Sequence, residues 1–160
     1  MNLVSVGIRA STSEINYVII EGSFANPKLI TADKLREPIS YSFSETLVYY
    51  RVQFLSLCKE YKINTCGIRT AEPLSRLKGS SEGAIKRANI EGVMIEASAS
   101  QGIKTIVGAN STFSPLLDVK SIKDLISAKE YKNLSKWTKL SQDFKEATLV
   151  AIASQRLLEA

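Results

Sequence analysis

The apolar pattern of this chain changes period once, near residue 43, and that change limits the folds open to it. Before it, apolar residues come in short strand-length runs: LVSVGI over Leu3–Ile8 and EINYVIIE over Glu14–Glu21. Short β-prone runs bounded by polar residues predict strands. The link between them, Arg9-Ala10-Ser11-Thr12-Ser13, is short and polar, which predicts a hairpin. Lys28–Thr31, entered through Asn26-Pro27, reads as a third strand. An antiparallel meander follows from such short links. After the change, Phe43, Leu47, Tyr50, Phe54, Leu57, Cys58 and Tyr61 recur at steps of three and four, one apolar face of a helix. Ser42 with Glu45 three residues on predicts a capping box at its start.

The remaining elements alternate. Ile63–Ile68 reads as a buried strand, and a strand reached through a long helix suits a parallel crossover. After a loop from Glu72 to Gly79, Ser81–Ser98 reads as a second helix. Ala84, Ala88 and Gly92 stand four apart along it, a groove suited to close contact with the sheet or with a partner helix. Lys104–Val107 reads as a fifth strand, Ser121–Ala128 as a short helix, and the stretch from Ser141 to near Leu158 as a last helix. Its apolar positions include Phe144, Ala147, Ala151 and Leu158. The order β-β-β-α-β-α-β-α-α, with no repeat or linker, predicts one α/β domain over residues 1–160.

Composition narrows the chemistry. The chain is 44% hydrophobic and 23% charged, ordinary globular values. It has no histidine, which excludes histidine-based catalysis and the common zinc sites. Cys58 and Cys66 have no metal-type spacing and read as buried free thiols in a reducing compartment. No apolar run approaches about 18 residues, and no leader pattern opens the chain, so a cytoplasmic protein without a membrane span is expected.

Net charge is +5, and its distribution is uneven. Seven lysines between Lys120 and Lys145 face Asp124, Glu130 and Asp143. Arg69, Arg76, Lys78, Lys86 and Arg87 stand against Glu72 and Glu82. Basic surface attracts phosphate backbones through counterion release, although solvated lysine-rich loops look the same in sequence. Trp137 and Tyr131 lie among the lysines, where they either stack on bases or pack the last loop onto the core.

Several motifs resemble the RuvC-type resolvases of the ribonuclease H-like superfamily. Strand one ends Gly7-Ile8-Arg9 where that family has Gly-Ile-Asp, and a short turn leads to Tyr17-Val18-Ile19-Ile20. Strand four ends Cys66-Gly67-Ile68-Arg69 where the family has a glutamate. The Gly/Ala-rich helix is matched by Glu82-Gly83-Ala84-Ile85 and Ala88–Ala97. The last helix, opened in the family by two aspartates three residues apart, is matched by Asp143-Phe144-Lys145-Glu146 before an Ala/Leu/Ile run. The resemblance implies a ribonuclease H-like fold: a mixed five-stranded sheet, three strands antiparallel and then parallel, with helices on both faces.

It also implies a site. Family nucleases hold two divalent metals about 4 Å apart on a carboxylate cluster. Mg²⁺ suits such hard oxygen ligands. Here Arg9 and Arg69 stand at two acid positions, and arginine offers no lone pair. Asp143, Glu146 and, as a stand-in ligand, Glu72 are the remaining candidate acids, although Asp143 also suits a helix N-terminus and Glu146 also suits a partner in Arg9, Lys139 or Lys145. Arg9, Arg69, Arg76, Lys78, Lys132, Lys136 and Lys139 are the candidates for binding phosphate or nucleic acid, with exposed strand ends the plainer reading of the first two. Three functions remain open: a lapsed RuvC-like nucleic-acid-binding protein with no cofactor, a non-enzymatic subunit that dimerises through Ala84, Ala88 and Gly92, and a Mg-dependent nuclease using Asp143, Glu146 and Glu72. No Gly-rich phosphate loop supports ATP hydrolysis.

Overall fold

The computed structural model describes residues 2–71 and 81–159. Three strands, β1 (Val4–Ala10), β2 (Glu14–Gly22) and β3 (Pro27–Arg36), form the meander. Helix α1 (Phe43–Tyr61) crosses to β4 (Thr65–Arg69), and α2 (Ser81–Ser100) precedes β5 (Lys104–Gly108). Two short helices, α3 (Asn110–Phe113) and α4 (Ile122–Ser127), and then α5 (Gln142–Ser154) complete the order. The sheet runs β3-β2-β1-β4-β5. Its first three strands are antiparallel, and β4 and β5 run parallel to β1.

The capping box forms: Ser42 Oγ accepts from the Glu45 amide, and the Glu45 carboxylate accepts from the Ser42 amide. Such a cap stabilises a helix start by about 1 kcal/mol. Strand β3 is longer than Lys28–Thr31. It continues through Asp33 and Lys34, because an edge strand keeps one row of side chains in water and tolerates charge there. Lys34 also pairs with Glu14 on β2 at 2.9 Å. Helix α5 stops at Ser154 and tightens into a 3₁₀ turn over Gln155–Leu158.

Each face of the sheet carries its own core. Val6, Ile8, Ile15, Ile19, Cys66 and Ile68 meet Tyr50 and Phe54 of α1 and Ile90 and Met94 of α2. Val18 and Ile20 meet Leu149 and Ile152 of α5, with Phe113, Leu117, Ile122 and Trp137 beyond. Trp137 is therefore core: it is buried, and its indole N–H donates to the Leu125 carbonyl at 3.1 Å. It is not a base-stacking platform. Both cysteines are buried and unpaired, and burial pushes the Cys58 thiol up to about 12 and raises that of Cys66 as well. Such thiols are poor nucleophiles. No helix among the described residues is long and apolar enough to cross a membrane.

The α5 face of the two central strands is not apolar. Side chains alternate along a strand, so residues 5, 7 and 9 of β1 face one way and residues 6, 8 and 10 the other. Ser5, Gly7 and Arg9 pair in register with Thr65, Gly67 and Arg69 of β4. Hydroxyl, glycine and arginine thus lie side by side in three rows. Over the middle row the α5 backbone comes so close that a Cβ on Gly7 would collide with the Ala147 carbonyl, and one on Gly67 with the Val150 carbonyl. Over the first row, Thr65 Oγ1 bonds Ser5 Oγ at 2.9 Å and Ser154 Oγ at 2.8 Å.

The small-residue stripe on α2 behaves differently. Ala88 and Gly92 are exposed, and a Cβ on Gly92 would meet nothing within 4 Å among the described residues. No contact with this chain's own sheet explains that glycine. Two opposite outcomes follow for glycine-to-alanine changes. Gly67→Ala should cost about 3 kcal/mol of stability by overpacking. Gly92→Ala should add up to about 1 kcal/mol through helix propensity. Urea denaturation of the two variants measures both signs.

Candidate functional site: an arginine–carboxylate cluster

The third row of the sheet carries the charge. Arg9 and Arg69 are register partners at the C-terminal ends of β1 and β4. Side by side, two guanidiniums about 5 Å apart repel by about 3 kcal/mol at an effective dielectric of about 20. Helix α5 supplies the compensating anion. Glu146 is 3% exposed, and its Oε2 lies 3.1 Å from Arg9 Nε and 3.4 Å from Arg69 Nε. Its other oxygen, Oε1, accepts from Gln142 Nε2 at 3.2 Å, so both carboxylate oxygens are engaged. Asp143, one turn earlier, lies 3.7 Å from Arg9 Nη2 and is 40% exposed. The spacing i, i+3 on α5 brings both acids to the same strand end.

Neither arginine is an exposed strand end. Arg69 is buried, its Nε also donates to Asn110 Oδ1 at 2.6 Å, and its Nη1 donates to the Thr70 carbonyl. Arg9 is half-buried, and its Nη1 reaches the Ala10 carbonyl. A third guanidinium joins from α2. Arg87 Nε donates to Glu91 at 3.0 Å, and Glu91 also accepts from the Ala71 amide. Burial, and then the positive charges of Arg9 and Arg69, hold the Arg87 guanidinium below its usual range. Its Nη2 is buried without a hydrogen-bond partner among the described residues.

Of the other residues singled out in sequence, Glu72, Arg76 and Lys78 lie outside the described residues. Lys139 is exposed in the 3₁₀ turn Trp137–Lys139, just ahead of α5, and Lys136 is exposed at the start of that turn. Lys132 is not brought to the cluster. Its Nζ sits 4.0 Å over the Phe24 ring, next to the turn after β2 and at the opposite end of the sheet from Arg9. Arg156 stacks on the same ring at 3.6 Å. Glu146 pairs with Arg9 and Arg69, while Lys145 turns away to the Ile126 carbonyl at 2.9 Å.

The structure adds residues that the sequence had not singled out. A cleft of about 580 Å³ opens beside Arg69 and Glu146. Asn110, Ser111, Lys120, Lys123 and Gln142 are among its lining residues. Lys120 and Lys123 flank Ser121, the N-cap of α4; the sequence had marked them only as part of the lysine run from Lys120 to Lys145.

No protein-family model matches this sequence, and no curated protein matches it in sequence. Solved structures do match. The chain superposes on Thermus thermophilus RuvC in complex with a Holliday junction substrate with a TM-score of 0.73 at 11% identity, over 94% of this chain and 92% of that one. The Thermus thermophilus RuvC structure gives 0.69 at 13% identity over the same shares. The yeast mitochondrial Holliday junction resolvase Ydc2 gives 0.59 at 10%, over 94% of this chain and 77% of that one. The chain has the RuvC-like form of the ribonuclease H fold. At these identities the likeness is one of backbone, and the side chains at the strand ends must speak for the chemistry.

They do not suit the metal pair that the resemblance implies. No group of three or more carboxylate or thiol ligands able to hold a metal occurs among the described residues. Glu146 has both oxygens committed to cations and an amide, and two guanidiniums occupy the strand ends. In this chain cations project from the strands, and a helix carboxylate bridges them. Removing that bridge should be costly. Glu146→Gln removes the one carboxylate the two guanidiniums share and should lose about 3 kcal/mol. Changing all three members to methionine should recover most of that loss, because no buried charge is then left unpaired. Chemical denaturation of the single and triple variants checks both.

Proposed function

We propose that this protein binds nucleic acid through a RuvC-like fold whose nuclease centre has been replaced by an ion-pair cluster, so that it binds without metal-dependent cleavage. One observation carries this reading: Arg9 and Arg69, in register on adjacent strands, share the buried carboxylate of Glu146 at 3.1 and 3.4 Å. Cleavage by paired metals needs carboxylates that bridge and hold the ions. The bridging position is here filled by a cation, and the best-placed carboxylate is neutralised. Binding asks for less. The RuvC neighbour was captured with a Holliday junction, which supports a strand or junction as the partner of this chain too. Around the cluster, Lys120, Lys123 and Lys139 add exposed positive charge at the start of α4 and ahead of α5. The cluster itself holds the two strand ends and α5 in a fixed relation, and the exposed lysines around it contact phosphates.

Cleavage and binding can be tested separately. Branched, duplex and single-stranded DNA and RNA–DNA hybrids should remain intact in Mg²⁺ or Mn²⁺. Turnover that requires metal and vanishes in Asp143→Asn would show that a nuclease remains. Affinity should fall steeply between low and moderate salt, as counterion release requires. Lys123→Glu and Lys139→Glu should each lower affinity and flatten the salt slope by about one unit, the share of a single phosphate. Lys132→Glu should leave both unchanged, because Lys132 sits at the far end of the sheet. Fluorescence anisotropy over a salt series measures all three.

A second reading, a dimer through α2, is favoured by one observation: Ala88 and Gly92 are exposed next to Ile85 and Ile95, which are 57% and 38% exposed. Under it, Ala88→Leu should convert a dimer into folded monomers, without loss of thermal stability beyond that of dissociation. Light scattering across protein concentrations decides, and a parent protein that is monomeric throughout removes this reading.

A further inference from the structure

Helix α1 is apolar on two sides. Thr46, Tyr50, Phe54 and Cys58 recur every four residues and form its buried face. At about 100° per residue, Val48 and Val52 fall on the opposite side of the helix. Val48 is 64% exposed and Val52 51% exposed. Ile39 and Tyr41, just ahead of the helix, are exposed as well. A surface helix ordinarily carries polar residues on the side away from its core. Contiguous apolar surface in that place marks a contact with another molecule.

The charges along that stripe indicate which molecule. Glu45 in the first turn and Lys59 in the last turn share the stripe with the two valines. Glu45 lies seven residues before Val52, and Lys59 lies seven after it. A second α1 laid antiparallel across a twofold axis at Val52 therefore sets Glu45 of each copy against Lys59 of the other. A twofold contact requires such a self-complementary patch. The opposed helix dipoles favour the same direction. Glu45 Oε1 accepts from the Ser42 amide, which leaves Oε2 for the lysine. Shape follows the same symmetry. Tyr41 stands edge-on to Tyr49 near the start of α1. Near the end of α1 a hollow of about 480 Å³ opens among Leu55, Lys59, Ile63 and Ile103. Antiparallel pairing carries the tyrosine of one copy toward the hollow of the other, and a tyrosine seated in a pocket is a common interface anchor. Helix α2 lacks this symmetry, because it has Glu82 in its first turn and no basic residue in its last.

We propose that this protein forms a homodimer through α1, antiparallel about Val52, with Glu45–Lys59 pairs at both ends of the contact. The proposal goes beyond the nucleic-acid reading and does not rest on it. Helices α1 and α5 pack on opposite faces of the sheet, so the dimer leaves the arginine–carboxylate cluster of each copy open. One helix and its flanks make a small interface, and association in the micromolar range is expected.

Sedimentation equilibrium of the full chain from about 1 to about 500 µM measures this association. The parent should pass from monomer to dimer within that range. Val52→Lys puts two ammonium groups at the axis and should raise Kd at least about tenfold. Lys59→Glu faces two carboxylates at each end and should raise Kd about tenfold. Glu45→Gln keeps a side chain that can complete the cap while removing the charge, and should raise Kd about threefold. Ala88→Leu on α2 should leave Kd unchanged. All four positions are exposed, so each variant should keep the fold. A parent that stays monomeric throughout overturns the proposal. A dimer that Val52→Lys leaves intact also overturns it, and dissociation by Ala88→Leu in that case assigns the contact to α2. A dimer broken by Val52→Lys but indifferent to both charge changes overturns the antiparallel register.

Discussion

Helix α5 lies on the sheet through three matched rows, and the middle row governs the other two. At Gly7 and Gly67 the helix carbonyls of Ala147 and Val150 take the space that side chains would fill. Any larger residue there would lift the helix from the strands. With the helix seated, Ser154 bonds Thr65, which in turn bonds Ser5, at one end, and Glu146 reaches Arg9 and Arg69 at the other. The hydroxyl row and the charged row are therefore consequences of one close backbone approach. The charged row in turn commits the helix carboxylate to guanidiniums.

Such a cluster is a demanding way to join a helix to a sheet. Burying charges costs several kcal/mol per ion before their mutual attraction offsets it, and apolar residues of similar volume often do as well or better. The Arg9–Glu146–Arg69 arrangement is thus poorly explained as a stability device. Arg87 sharpens the point. It brings a third guanidinium toward the other two, and burial together with that proximity lowers its own affinity for a proton. Each of the three guanidiniums nonetheless has a carboxylate beside it: Glu146 and Asp143 for Arg9, Glu146 for Arg69 and Glu91 for Arg87.

Much of the architecture was legible in the sequence, and the reasons can be named. The short β-prone runs LVSVGI and EINYVIIE, the three-and-four spacing from Phe43 to Tyr61, and the Ser42–Glu45 box are local signals that tertiary context reinforced. The Gly-Ile-Arg at the ends of β1 and β4 put Arg9 and Arg69 at matching strand ends, whereas the close approach of α5 to Gly7 and Gly67 had not been read from them. Other features had no local signature. β3 continues through Asp33 and Lys34, where polarity hid an edge strand. Helix α5 is buried without interruption from Glu146 to Ser154, since the segment after β5 covers the side that faces away from the sheet. An amphipathic pattern therefore could not describe it. Lys120, Lys123 and Asn110 reach the cleft through short helices and turns, whose placement depends on long-range packing. Lys132 looked like its neighbouring lysines and was separated from the site only by the three-dimensional path of the chain.

The position of α5 also bears on the order in which the molecule can be assembled. The helix that sits on the glycine row follows all five strands in chain order, yet it covers the two earliest of them and the one that pairs with β1 on its other side. Until it emerges from the ribosome, one whole side of the sheet stands open, with Val18 and Ile20 in water and the paired arginines without a counter-charge. The chain up to the end of β5 is thus a half-built sandwich, and contacts between residues so distant in sequence close slowly. A nascent chain in that state offers both a greasy sheet face and a basic edge, the two features that holdase chaperones and stray polyanions seize upon.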